Sequence, residues 1–263
     1  IVGSVVVIAA VYPFINKQSS KNQIIEDATN KVVVKPLLEP KAKVKKKALP
    51  DFAAIYDVKT KKRAFFDYLT PYVNEINHEL LIQRQFLLSL NEQPTSASAQ
   101  AKFAAIAKKF RVKTDKDFKQ IKQQLLTRVD ALPIELVLMQ AANESAWGTS
   151  RFALTANNLF GQWCFKPGCG VVPEGRPEGK TYEVRKFTHP VDSIRSYFHN
   201  LNTGYAYEDL REARNTLRNM KQSLDAMVLA EGLLSYSTRR EAYVDEIQKM
   251  ISVNRKYINI QVN

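Results

Sequence analysis

The stretch that decides the reading is residues 134–163, IELVLMQAANESAWGTSRFALTANNLFGQW. Ile134, Val137, Leu138, Ala141 and Ser145 fall on one face at helical spacing. Pro133 suits a first helical position, because the N–H it lacks is one that a helix start leaves unpaired. Gly148 is a natural C-terminal stop, so the spacing predicts a helix opening at Leu132-Pro133 and running to Gly148. Glu144 comes seven residues after Val137 and, at about 100° per residue, projects about 20° away from it. A carboxylate therefore sits on the edge of the apolar stripe, beside Trp147, in the last turn. Loss of water and the negative end of the helix both disfavour its charged form there. A carboxylic acid still protonated near neutral pH is what protonation of a leaving oxygen requires. The plainer alternative is a rim carboxylate, solvated or paired with Arg151.

Helical periodicity continues on both sides. Residues 63–90 space Phe65, Phe66, Leu69, Val73, Ile76, Leu80 and Phe86/Leu87 along one face, with Pro71 as a candidate kink. Further helices are predicted over 99–110, over 115–129 behind Thr114 as cap, and over 192–201, 207–220, 224–234 and 240–257. Between Asn158 and Phe187 glycine and proline crowd the chain, and Val171-Val172 and residues 181–187 read as strands. The expected fold class is α+β: a mostly helical body with one small β-hairpin lobe, and no internal repeat.

Composition removes whole classes of function. Two cysteines among 263 residues cannot build a disulfide-rich scaffold or a four-thiolate zinc site, and His78, His189 and His199 lack the HExxH spacing. Phosphate-loop and dinucleotide fingerprints are missing too, so no cofactor and no metal is expected. The net charge of +13 is concentrated in residues 17–63, which hold 13 Lys/Arg against 5 Asp/Glu. Such a tract attracts any polyanion: nucleic acid, anionic lipid or cell-wall polymer. With no base-reading motif, nucleic acid is not expected as a partner.

Residues 1–15, IVGSVVVIAAVYPFI, form an uncharged apolar run shorter than the roughly 20 residues of a spanning helix. They read as a membrane anchor or signal remnant, with a buried strand as the alternative. Residues 16–50 alternate Lys, Pro and short aliphatic patches without a period, which predicts a basic disordered linker. Residues 51–112 follow as a helical N-terminal region and 113–263 as the catalytic unit. The expected location is the periplasm or cell envelope, with inner-membrane lipid as a partner through the N-terminal segment.

Two linked motifs carry a family resemblance. Glu144-Ser145-Ala146-Trp147-Gly148-Thr149-Ser150, with Ala153, is followed by Asn157-Asn158-Leu159-Phe160-Gly161. Together they resemble the lysozyme-like glucosaminidases of glycoside hydrolase family 73, in which the first motif carries the catalytic acid and the second shapes the cleft floor. The resemblance covers about residues 115–255. It implies hydrolysis of the β-1,4 bond between N-acetylglucosamine and N-acetylmuramic acid in peptidoglycan, with Glu144 as general acid. Lytic transglycosylases share the Glu-Ser helix end but usually continue with Gly-Leu-Met-Gln, where this chain has Asn-Leu-Phe-Gly. A non-catalytic glycan-binding module on the same fold is the remaining alternative.

The resemblance also implies a second carboxylate from the β-lobe, with Glu174, Glu178 and Glu183 as candidates or the substrate's own acetamido group in its place. Alternation along 182–187 puts Glu183 on the face of Phe187, which ranks it first; Glu174 matches the family's usual distance from the aromatic that ends the lobe. Sugar rings pack their C–H faces on flat side chains. Trp147, Phe160 and Trp163 flank the acid in sequence, and Asn158 belongs to the cleft-floor motif. Tyr197 and Tyr236 resemble positions of the family's cleft; Tyr243 falls one residue out of the family's spacing. Cys164 and Cys169 are within disulfide reach if the chain turns at Pro167-Gly168, with free thiols as the alternative.

Overall fold

The computed structural model describes residues 38–259. The apolar run at 1–15 and the first part of the expected linker lie outside them. Among the described residues no helix is long and apolar enough to cross a membrane.

The spine is α1 (Val58–Ser89), 32 residues and so about 48 Å long at 1.5 Å per residue. Asp57 starts it by accepting the Thr60 N–H at 2.8 Å, and the helix continues through Pro71. Its buried stripe is Phe65, Phe66, Leu69, Tyr72, Val73, Ile76, Leu80 and Leu87. The helices α2 (Ala97–Lys109) and α3 (Phe118–Arg128) follow. Asp117 rather than Thr114 caps α3, accepting from the Gln120 N–H at 3.1 Å; a carboxylate one residue ahead of the apolar periodicity is the better acceptor. Then come α4 (Ile134–Ser145), α5 (Arg151–Ala156), α6 (Pro190–Thr203), α7 (Glu208–Asn219), α8 (Ala226–Glu231) and α9 (Glu241–Asn254). Residues 136–142 of α4 are all buried, as expected of a helix enclosed on every side, and α1, α8 and α9 surround it.

The β-lobe is a three-stranded antiparallel sheet of β1 (Trp163–Cys164), β2 (Gly170–Val171) and β3 (Glu183–Arg185), in the order β1-β3-β2. Strand β1 and helix α5 are too short to leave a periodic trace in the sequence. Cys164 and Cys169 are joined by a disulfide.

Residues 38–50, expected as free linker, are instead laid along α1. The Leu38 N–H donates to Gln85 Oε1 (2.6 Å), the Val44 N–H to Glu75 Oε2 (2.6 Å) and the Lys47 N–H to the Tyr72 hydroxyl (3.0 Å). The Tyr68 hydroxyl donates to the Lys47 carbonyl at 2.9 Å. From Leu38 to Lys47 this strap passes from Gln85 back to Tyr68, about 26 Å of helix at 1.5 Å per residue, so it is close to fully extended. Val44 and Leu49 pack on the core while Lys41, Lys43, Lys45, Lys46 and Lys47 stay exposed. The composition that suggested disorder is that of a segment anchored by its backbone, with its charges in water.

The junction between α3 and α4 decides where α4 begins. Fully buried Arg214 donates to the carbonyls of Thr127 (2.9 Å) and Ala131 (3.2 Å) and to Asn202 Oδ1 (2.7 Å). The Asp130 carboxylate takes two bonds from Arg218, at 2.9 and 2.8 Å, and lies 3.4 Å from Arg84. Burial works against that carboxylate, but the Arg218 bonds and the charges of Arg214 and Arg84 outweigh it and hold its pKa below the usual range. Asn77 of α1 closes the cage, donating to the Leu132 carbonyl at 2.8 Å and accepting its N–H at 2.9 Å. Arg214→Met leaves several buried carbonyls without donors. It is expected to cost about 3–5 kcal/mol, measured as a lower urea midpoint.

Candidate active site

Each residue of 144–150 has a separate job in stopping α4 and starting α5. The Ser145 hydroxyl donates back to the Ala141 carbonyl (2.6 Å) and accepts the Gly148 N–H (2.8 Å). Ala146, Trp147 and Gly148 have φ of 49°, 59° and 79°, a run of left-handed backbone. The Trp147 N–H returns to the Ala142 carbonyl at 2.9 Å. The Thr149 hydroxyl donates to the Ala146 carbonyl at 2.7 Å, and the Ser150 side chain caps α5 at the Ala153 N–H, 3.2 Å. Glu144 sits immediately before this reversal, half-buried.

The wall behind the turn is α1. Trp147 packs against Phe65 and Phe66, ring centroids 5.7 and 5.3 Å away, with the Lys62 ammonium 5.0 Å from its ring. A Cβ added at Gly148 would lie 2.6 Å from Cδ2 of Phe52. Trp147, expected as a sugar platform, is half-buried, with its ring packed on α1.

A closed ring of contacts lies beside Glu144 and meets it through Tyr243. The Tyr243 hydroxyl donates to Glu144 Oε1 at 2.8 Å and accepts from Gln140 Nε2 at 2.9 Å. Gln140 Oε1 accepts in turn from the Tyr197 hydroxyl. Tyr197 stacks on Phe160 (4.0 Å between centroids), whose carbonyl accepts the Tyr236 hydroxyl (3.3 Å), and Tyr236 stacks on Tyr243 (5.3 Å). Phe160 and Tyr197 are buried, so these residues of the expected substrate set support the acid from behind. Asn158, also buried, gives its donors to the Gln162 and Arg185 carbonyls and accepts the N–H of Gln162, tying the 158–162 loop to the β-lobe.

Burial pushes the Glu144 carboxyl above its ordinary value. Hydrogen bonds from Tyr243 and Asn143 and the charge of Arg239 oppose the rise, while Glu246 adds to it. Burial and the adjacent Glu144 push the Tyr243 phenol well upward, so it remains a donor at all working pH.

The β-lobe carboxylates divide. Glu183 does turn inward, but both its oxygens are engaged, taking the Gly168 N–H at 2.9 Å and the Gly170 N–H at 2.7 Å. These bonds hold its pKa down. Glu174 is exposed and paired with Arg151 at 2.6 Å; Glu178 is exposed as well. Cys164, Cys169 and Glu183 bring their ligand-type atoms within 4.8 Å of one another, yet a disulfide offers no thiolate and Glu183 is occupied, so the group does not suit a metal.

The comparisons bear on a site already described. Residues 119–256 match the family described as mannosyl-glycoprotein endo-beta-N-acetylglucosaminidase. Protein bax of Escherichia coli (strain K12) is 33% identical over 216 residues, which cover 81% of this chain and 77% of that protein. The chain belongs to the glucosaminidase family. No solved structure matches it. Membership points to glycan hydrolysis, and the matched residues hold Glu144, the lobe and all three site tyrosines. Helix α1 lies outside the matched glucosaminidase residues, although it walls the turn that positions Glu144.

Tyr243 and Gln140 are the site residues that the sequence conceals. Gly148→Ala tests the turn: with φ at 79° and Phe52 in contact, it is expected to cost about 1–3 kcal/mol. Thermal unfolding reads that loss directly.

Proposed function

We propose that the chain is a peptidoglycan hydrolase that cleaves the β-1,4 bond between N-acetylglucosamine and N-acetylmuramic acid. The observation that carries this is Glu144, its carboxyl raised by burial and oriented by the Tyr243 hydroxyl at 2.8 Å. In its protonated form Glu144 delivers its proton to the glycosidic oxygen as the bond to the sugar breaks. Positive charge develops on the ring carbon as it does so and is met from the other face, where water adds to that carbon and gives up a proton to complete the hydrolysis. Glu183 is spent on the lobe's own backbone, so Glu174 is the lobe carboxylate we assign to that second position. A location in the cell envelope accords with the substrate and with the disulfide, which persists in oxidising compartments.

Purified sacculi digested with wild-type and Glu144→Gln protein test the reading. Fragments ending in reducing N-acetylglucosamine, absent from the variant, are expected. Anhydro-muramic ends would instead mark a lytic transglycosylase, and full activity in Glu144→Gln would remove the acid from the mechanism. Glu174→Gln is expected to lower kcat at least about 100-fold, with Glu183→Gln lowering the melting temperature instead.

Two pH effects follow from the carboxyl's position. A general acid works while protonated, so kcat/KM falls as pH rises through its pKa. The Tyr243 bond favours the charged form, and removing it in Tyr243→Phe raises that pKa further. The alkaline limb of the profile is therefore expected to move to higher pH. The same sign governs stability: a buried carboxyl with a raised pKa favours the fold below its unfolded pKa and loses that contribution as pH rises through the folded one. Glu144→Gln should melt above wild type at neutral pH, with the gap closing towards acid.

A further inference from the structure

The β-lobe carries a surface that the ring around Glu144 does not use. Pairing sets Trp163 opposite Val184 and Cys164 opposite Glu183, and Phe165 and Tyr182 are the residues next beyond these paired ends. Because side chains alternate across a strand, the lobe sorts into two faces of different character.

One face is a lock. Cys164 is bonded to Cys169, and Glu183 beside it holds the Gly168 and Gly170 N–H groups. Strands this short supply few ladder bonds of their own, so the covalent link and the carboxylate fix the shape of the lobe. The other face is aromatic. Trp163 and Tyr182 stack at 4.4 Å with their planes 5° apart. Trp163 is 55% exposed, and Phe165, just past the end of β1, is 71% exposed. Flat aromatic surface held rigidly in water in this way marks a binding site more often than a defect of packing.

We propose that Trp163, Tyr182 and Phe165 form a sugar-stacking platform, a subsite that grips the glycan strand apart from the reacting bond at Glu144. The ligand class rests on the glycan-hydrolase reading above. Size argues for a saccharide over a protein partner: three rings fit the C–H faces of one or two pyranoses, whereas a stable protein interface buries about 800 Å² per partner. Charge agrees, since Arg176 donates to the Tyr182 carbonyl at 3.2 Å and the lobe also carries Lys166, Lys180 and Lys186, cations that suit the carboxylates of muramic acid and its peptides. Continuity agrees too. Phe160, whose carbonyl belongs to the Glu144 ring, lies just ahead of Trp163 in the chain, so one strand of substrate can meet both. The disulfide then acts by preorganisation: the rings are held in place before the sugar arrives.

The test uses the full chain in a Glu144→Gln background, so that no substrate is consumed. Sedimentation with purified sacculi is compared with and without Trp163→Ala and Phe165→Ala, and circular dichroism confirms an unchanged fold. Binding at least tenfold weaker in the double variant is expected, together with a blue shift of Trp163 emission when chitohexaose binds the unsubstituted protein. Unchanged sacculus binding overturns the platform. So does self-association of the protein that the double variant abolishes, because the patch would then join two copies. Active protein separates this proposal from the hydrolase reading. If wild type releases no fragments yet binds through Trp163, the platform stands and hydrolysis fails; if Trp163→Ala binds and cuts like wild type, hydrolysis stands and the platform fails.

Discussion

The whole site depends on how abruptly α4 ends. Three successive residues with positive φ follow Glu144 and Ser145, and two of them carry side chains, for which left-handed backbone costs about 1–2 kcal/mol each. That conformation persists because it is over-determined. Ser145 bonds both sides of the turn, Trp147 is wedged against Phe65 and Phe66, and Gly148 lies under Phe52 with no room for a methyl group. A helix that continued one turn further would carry the chain away from the 158–162 loop and leave Glu144 on an ordinary helical surface.

The other end of α4 is held as firmly by different means. The arginine cage at 126–132 draws on α1 through Arg84 and Asn77 and on α7 through Arg214 and Arg218. Both ends of α4 are thus fixed by elements remote in sequence. Since helical phase is set by where a helix starts, the cage also fixes the direction in which Glu144 projects. The cost of burying several guanidinium groups is offset because they satisfy carbonyls that the end of α3 leaves unpaired.

This division of labour explains what the sequence made legible. Glu144 could be placed because helical periodicity, Pro133 and Gly148 all lie within one short segment. The lobe was visible as a burst of glycine and proline, and the inward turn of Glu183 followed from alternation along its strand. Its destination did not, because two backbone N–H groups leave no mark in the text. Tyr243 was concealed by a single residue of spacing: it follows Tyr236 by seven residues where the family pattern has six, and the 2.8 Å bond to Glu144 shows that its hydroxyl still reaches the carboxylate. Gln140 left no sign of its role, because the tyrosines it bonds lie on α6 and α9. Trp147 was read as a sugar platform because it flanks Glu144 in the chain; that Phe65 and Phe66 of α1 pack against it is a long-range fact. The strap was misjudged for a related reason, since its lysines describe its outer side and the tyrosines that hold it belong to α1.

The strained turn places heat tolerance and rigidity beside Glu144 in opposition. Ala146 is exposed and carries φ of 49°, a backbone that glycine or asparagine adopts more comfortably. Either residue would relieve local strain, and a search for heat tolerance would favour it. The relaxed turn would also gain freedom directly beside Glu144, whose value lies in having none. Alanine at this position is what a chain retains when the aim of one carboxyl group matters more than the last increment of folding free energy.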